Sequence, residues 1–234
     1  MATLKETFQE RIKAYGCKNE DLAVNYFTRA DFELSRMKTP KKWEQIDFED
    51  FIMNSITHAN MGIDPFARKT LYFIPRGAKL CIDLRYECLE FLAQNFGINK
   101  PINVTTEIIY SNDKFSLVKK DLSNPRDGYL FQIPSPLDRG AICGGVYLKE
   151  YENERLDKAV FMSLAEINKR TKADTSFFGN HPEKMCLKTL LKDAWGSVTL
   201  DTTRLGEYAK SVKPIQDFEP ESTTDLPFNP DAEL

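Results

Sequence analysis

The chain has 234 residues, 41% of them hydrophobic and 12% aromatic, and a formal net charge of −3, enough for a buried core in one large domain or a domain with a tail. No apolar run approaches the ~20 residues that cross a bilayer, and the opening MATLKETFQERIKAYG is a charged amphipathic helix without the apolar middle of a secretory signal. These features exclude membrane-spanning and secreted classes and give the expectation of a cytoplasmic protein, in which the five scattered cysteines (Cys17, Cys81, Cys88, Cys143, Cys186) stay reduced and mostly buried.

Taken in chain order, residues 3–15 and 20–37 have helical spacing and are separated at Gly16. The next helix runs from about Phe48 to Asn60: Asp47 caps it, and Phe51, Ile52, Ser55, Ile56 and Ala59 line one side. Two short apolar runs, Leu71–Ile74 and Leu80–Leu84, flank Pro75-Arg76-Gly77-Ala78 and predict a hairpin. Residues 86–96 return to helical spacing and stop at Gly97. Alternation then predicts a second hairpin, Ile102–Tyr110 with Lys114–Lys119, and further strands at Tyr129–Ile133, Ala141–Lys149 and Lys158–Met162. Gly144-Gly145 inside a strand pattern marks a bulge or a close backbone approach. Ser163-Leu-Ala-Glu166 is a capping box opening another helix, and Pro182 sits at the first turn of the last one.

The expected class is therefore α+β: N-terminal helices, a central, mainly antiparallel sheet with hairpins, C-terminal helices and an acidic tail. The expected organisation is a single domain over 1–213, helical to about 60 with an α/β core over about 61–200, followed by a flexible tail at 214–234. That tail carries six acids and no base, which leaves 32 bases against 29 acids in residues 1–213. The body is thus mildly basic, and the whole-chain charge is no argument against a polyanionic partner.

Catalytic signals are absent from the sequence. There is no GxxxxGK[ST] phosphate loop and no GxGxxG opening a helix. The two histidines, His58 and His181, are far apart; His58 reads as structural within its helix, and His181 as a cap or packing residue. With no nucleophile or assembled acid–base pair, the expectation is a protein that is not an enzyme and needs no cofactor. A Mg²⁺ dependence is compatible with this but has no ligand motif.

The positive signal is basic. HPEKMCLKTLLKDAWG (181–196) sets Lys184, Lys188 and Lys192 four apart on one helix face, a ladder of ammonium groups ~6 Å per step, with Met185, Leu187, Leu190, Leu191 and Ala194 as its buried side. A ladder alone reads as a solvated lysine face. Beside it, however, lie Lys169, Arg170 and Lys172, and a second stretch holds Arg68, Lys69, Arg76 and Lys79 around Tyr72 and Phe73 with no acid between residues 66 and 79. Phosphates along a nucleic-acid backbone relieve the repulsion within such a ladder. Bases next to exposed aromatics suit a single-strand channel. Tyr72 and Phe73 point to opposite faces of a strand, so one of them belongs to the core.

MGIDPFARKTLYFIPRG (61–77) resembles the Gly-Leu-Glu-Pro element and following Tyr-x-x-Pro strand of the RecT/Redβ family of phage single-strand annealing proteins, with Gly62, Asp64, Pro65, Tyr72 and Pro75 at the matching positions. YECLEFLAQNFG (86–97) resembles that family's next helix, except that Glu87 and Cys88 stand where Arg-Gly or Lys-Gly is usual. INKRTKA (167–173) is similar to a family loop with Lys172 on its lysine. HPEKMCLKT (181–189) resembles the His-x-x-x-Met-x-x-Lys-Thr helix, with Lys192 where Arg is usual.

The resemblance implies ATP-independent annealing of complementary single strands in phage-type recombination and repair within a bacterial host. It also implies assembly into rings or helical filaments around a basic groove, and partners in a phage 5′→3′ exonuclease and the host single-stranded-DNA-binding protein. On this reading Lys172, Lys184, Lys188 and Lys192 contact phosphate, together with Lys169 and Arg170, while Arg68, Lys69, Arg76, Lys79 and Tyr72 form an opposing wall. The alternatives are a passive single-stranded-DNA-binding protein, a metal-dependent nuclease using acids such as Asp83 and Glu107, and a phage structural protein with a basic face. Thr224-Asp225-Leu226-Pro227-Phe228 also resembles the acidic tip of bacterial single-stranded-DNA-binding proteins, with six residues following it.

Overall fold

The computed structural model describes residues 3–37, 41–171 and 180–215. Lys172 and the tail from 216 onward, including the Thr224–Phe228 segment, lie outside the described residues. The class is α+β, and all strand pairing among the described residues is antiparallel. Two compact units divide the chain: Met1–Cys88 with Asp201–Leu234, and Leu89–Leu200.

In the first unit each helix begins where a side chain can satisfy its free amides. Thr3 and Glu6 form a capping box for α1 (Leu4–Ala14), Asn19 caps α2 (Glu20–Arg36) on Leu22 N, and Asp47 caps α3 (Phe48–Ala59) on Asp50 N. The buried face of α3 is Phe51, Ile52, Ser55, Ile56 and Ala59, as its spacing dictates. Phe8, Ile12, Leu22, Tyr26 and Phe51 are almost wholly buried, and Trp43 stacks on Phe27 with centroids 5.0 Å apart.

The first hairpin closes this core: β1 (Leu71–Arg76) pairs with β2 (Lys79–Leu84), from Leu71 opposite Leu84 to Arg76 opposite Lys79. Pairing runs two residues further towards the turn than the apolar run predicts, leaving only Gly77 and Ala78 as the loop. Alternation sends Leu71, Phe73, Leu80 and Ile82 to the core. Phe73 is thus the core residue of its pair, and Tyr72 lies on the other face.

The chain ends its described course in this same unit. Asp201 caps a helix, Thr202–Ser211 (α7 below), that the sequence pattern does not announce, because Thr202, Thr203 and Gly206 are weak helix formers. α7 docks on Gly62: this glycine has φ +71°, and a Cβ there would meet the Tyr208 ring at 2.9 Å and Ala209 Cα at 3.1 Å. Asp64 is buried and takes two backbone amides at 2.8 Å, Phe66 N on one oxygen and Ile215 N on the other.

The second unit has three layers. Its sheet has the order β3 (Asn103–Tyr110), β6 (Ile142–Glu150), β7 (Lys158–Ser163). Helices α5 (Leu164–Thr171) and α6 (Pro182–Gly196) cover one face, with Ile108, Tyr147, Met162, Ile167, Cys186, Leu190 and Ala194 between them and the sheet. A separate ribbon, β4 (Lys114–Val118) with β5 (Gly128–Gln132), packs against the other face through Phe115 and Phe161, whose rings are 5.4 Å apart. The Ser163–Glu166 capping box and the first-turn Pro182 are both present.

This arrangement corrects the second predicted hairpin. β4 pairs with β5, and β3 with β6, not with β4. The reason lies in the turn between them. Arg139 grips Asp113 with two hydrogen bonds, at 3.0 and 2.6 Å, and donates to Ile108 O at 3.0 Å, while Asp113 also accepts Tyr110 N at 2.9 Å. The chain returning at Arg139 is thereby fixed beside the end of β3. Ser111 N bonds Ala141 O at 2.8 Å, and β6 continues along that edge.

The Arg139 hydrogen bonds hold the Asp113 carboxyl below the usual carboxylate range, and the Asp113 side chain has no solvent exposure. Asp113 therefore stabilises the fold at pH values above about 4 and loses that contribution as pH falls through its lowered pKa. Asp113→Ala is expected to cost about 3 kcal/mol at neutral pH, because it strands a half-buried guanidinium. Asp113→Asn should flatten the acid limb of the melting-temperature profile, which circular dichroism between pH 2 and 7 would record.

Candidate nucleic-acid interface

One basic surface belongs to each unit. In the second unit it is built on α6, where Cys186, Leu190 and Ala194, spaced by four, are buried against the sheet. Lys184, Lys188 and Lys192 each lie two residues before one of these, about 200° around the helix at 3.6 residues per turn. The ladder is thus offset from that row, with Lys184 exposed and Lys188 and Lys192 half-buried. The expected inner face needs one correction. Leu190 and Ala194 are buried, but Met185, Leu187 and Leu191 are only half-buried, and Cys186, Thr189 and Trp195 are buried as well, Trp195 seven residues after Lys188 and so on the ladder's side of the helix. The sheet meets the 186–190–194 row, and Met185, Leu187 and Leu191 each sit one residue, 100°, off it.

Gly145 allows this seating: a Cβ there would stand 2.5 Å from Leu190 Cδ1. Beneath the helix, Tyr147 donates to Asp193 Oδ2 at 2.7 Å, and buried Lys149 donates to Ser197 Oγ at 2.7 Å. Burial pulls the Lys149 ammonium below its ordinary pKa and pushes the Tyr147 hydroxyl well above its own. Lys169 and Arg170 are exposed on the last turn of α5, where cations suit the helix dipole. Arg170 forms an ion pair with Asp193. His181 occupies the N-cap position of α6 without a side-chain capping hydrogen bond.

In the first unit the surface is the outer face of the β1–β2 hairpin. Strand register puts Tyr72, Ile74 and Arg76 of β1 beside Asp83, Cys81 and Lys79 of β2. Tyr72, Arg76 and Lys79 thus share one face. Arg68 and Lys69 are exposed in the turn before β1, and Lys69 holds a left-handed conformation at φ +57°. The segment 66–79 contains no acid, yet the fold supplies two. Arg76 pairs with Asp83 at 3.0 Å and Lys79 with Asp50 at 2.8 Å. Such part-exposed pairs contribute little to stability and are readily exchanged for another anion. Arg85, immediately after β2, lies over the Tyr72 ring at 4.9 Å. Sequence reasoning passed over Arg85; the signal that finds it is the pairing of Leu71 with Leu84, which ends the hairpin beside Tyr72.

His58 bonds Asn54 O at 2.7 Å, and burial lowers its pKa, as for a structural residue. Among the described residues no group of three or more His, Cys, Asp or Glu side chains could hold a metal ion, and Asp83 is taken up by Arg76. No helix among them is long and apolar enough to cross a membrane.

The sequence pattern that defines the RecT family matches residues 27–216. The chain belongs to the RecT family. It is thus, in general terms, a phage-type single-strand annealing protein of DNA recombination. No curated protein of similar sequence matches it. In this RecT-family chain several of the motif positions serve the fold. Gly62 and Asp64 receive α7 and the segment after it, Tyr26 donates to Ile63 O at 2.7 Å, and Thr189 is buried and bonds Met185 O at 2.8 Å.

Proposed function

We propose that the chain binds single-stranded DNA through these two basic surfaces and anneals complementary strands without ATP, acting as an oligomer in the bacterial cytoplasm. The observation that carries this reading is the Lys184–Lys188–Lys192 ladder on α6, offset from the helix's buried 186–190–194 row, in a RecT-family chain. Annealing makes and breaks no covalent bond, so neutralising two polyanions and holding the backbone without reading sequence is the whole of the chemistry. Lys184, Lys188, Lys192, Lys169 and Arg170 are assigned to phosphate in one unit. Arg68, Lys69, Arg76 and Lys79 are assigned to it in the other, with Tyr72 as a stacking ring. Lys172, by its place in the family loop, joins the first set. Polymerisation along the strand multiplies the few phosphate interactions that one copy makes. Within recombination, a phage exonuclease would supply the strand, and the host single-stranded-DNA-binding protein would hand it over.

Anisotropy of a labelled oligothymidylate, followed by sedimentation of the complex, tests the proposal. Tight binding that weakens with salt, in particles of several copies, is the expected result. A salt-insensitive complex or one copy per strand would count against it, and shortening of the strand with Mg²⁺ or Mn²⁺ would favour a nuclease.

A further inference from the structure

The open end of the β1–β2 hairpin holds a charged group that is poorly satisfied. Arg85 N donates to Thr70 O at 2.9 Å, which brings Arg85 to the same end of the hairpin as Arg68 and Lys69. Its guanidinium lies over Tyr72, and Nη2 reaches Glu87 Oε1 at a long 3.3 Å. One further atom on each side is stranded: Arg85 Nε and Glu87 Oε2 are both buried without a hydrogen-bond partner. The two side chains are 24% and 23% exposed, so the pair sits at the rim of the surface, not in the core.

An ion pair with one long bond and an orphaned donor and acceptor is a weak competitor for its own members. A phosphodiester arriving at the exposed part of the guanidinium would offer it the charged acceptor that Glu87 meets only at long range, while the Tyr72 ring supports the guanidinium from one side. Glu87 can give up the arginine because it stands in the first turn of α4 (Tyr86–Phe96), where the helix dipole stabilises a carboxylate.

We propose that Arg85, stacked on Tyr72, binds a backbone phosphate of the single strand, and that Glu87 is the internal anion which this phosphate displaces. The inference rests on the single-strand binding proposed above and adds a residue pair to it. It gives meaning to a departure from the family pattern. Where a basic residue is usual at the second position of this helix, Glu87 stands here, and the arginine two residues earlier supplies the positive charge.

Anisotropy of a labelled oligothymidylate with Arg85→Ala, Glu87→Gln and the double variant tests the pair, with thermal melting confirming that each is folded. Arg85→Ala is expected to weaken binding about tenfold and to lower the slope of log affinity against log salt by about 0.7. Glu87→Gln, nearly isosteric, should tighten binding about three- to tenfold by releasing the arginine. That gain should vanish when Arg85 is already alanine. Unchanged or weaker binding by Glu87→Gln, or a gain that survives without Arg85, would overturn the assignment. If the unsubstituted chain binds with the usual salt dependence while the cycle is flat, this proposal alone fails. If the unsubstituted chain does not bind the strand, the parent reading fails with it.

Discussion

Alanine at Lys184, Lys188 and Lys192 together is expected to weaken single-strand binding roughly a hundredfold, at about 1 kcal/mol for each lysine–phosphate pair removed. The slope of log affinity against log salt should fall by about 2, since each phosphate neutralised on a single strand contributes about 0.7. The melting temperature should change little, because the buried 186–190–194 row of α6 is left intact. A solvated lysine face predicts something different: the same melting temperature with affinity and slope unchanged. Titration at three or four salt concentrations separates the two readings. A uniform loss of affinity without a change of slope would mean that the ladder acts through folding and does not touch phosphate.

Gly144→Ala is expected to be the most damaging single-methyl change in the second unit. A Cβ at this position would lie 2.2 Å from Met162 O and 3.0 Å from Ser163 Cα, both backbone atoms of the neighbouring strand. Backbone cannot swing aside as a side chain does, so β6 and β7 must separate where Gly144 faces Ser163. β6 is the middle strand, and its partner β3 already shifts register between Ile109 and Tyr110. Overpacking there should cost about 3 kcal/mol or more, a drop of roughly 6–12 °C in melting temperature. Gly145→Ala should be milder, because the nearest atom in its way is the end of the Leu190 side chain at 2.5 Å and the nearest backbone atom, Glu107 O, is at 3.0 Å rather than 2.2 Å. It should, however, tilt the ladder helix and so weaken single-strand binding more than its stability loss explains. Equal melting temperatures for Gly144→Ala and the unsubstituted chain would show that the strands do not approach this closely.

What the sequence disclosed and what it hid follow from the range of the interactions involved. The α3 cap by Asp47, the Ser163–Glu166 box and the first-turn Pro182 are settled within four residues, and all were legible. The glycine pair was legible too, because a glycine inside a strand pattern has few explanations. Strand pairing was not legible. Ser111-Asn112-Asp113 has the composition of a hairpin turn, but Arg139, 26 residues away, takes Asp113 and diverts β4 from β3. The same limit applies to the basic surfaces. Arg76, Lys79 and Arg170 look unopposed along the chain, and the fold brings them Asp83, Asp50 and Asp193 from 7, 29 and 23 residues away. Helical periodicity showed the lysines as one row of the helix but misplaced its back by a single residue's rotation, since Met185, Leu187 and Leu191 are as apolar as the row that meets the sheet, and it did not show that Trp195 is buried on the lysines' side. Arg85 was hidden for a related reason: only the register of β1 against β2 shows that it ends beside Tyr72.

Arg76 with Asp83, Lys79 with Asp50 and Arg85 with Glu87 each set a carboxylate against a hairpin cation. On the proposed reading phosphate replaces carboxylate at each of them, and the Arg85→Ala and Glu87→Gln variants measure that exchange at one.

The central claim, that the chain anneals complementary single strands without ATP, is tested most directly by the rate at which two complementary fluorescent oligonucleotides pair with and without the protein, in the absence of ATP. Faster pairing that slows as salt is raised, and is lost in the triple lysine variant, is the predicted result. Binding of both strands without faster pairing would contradict the claim and leave a protein that only coats single strands.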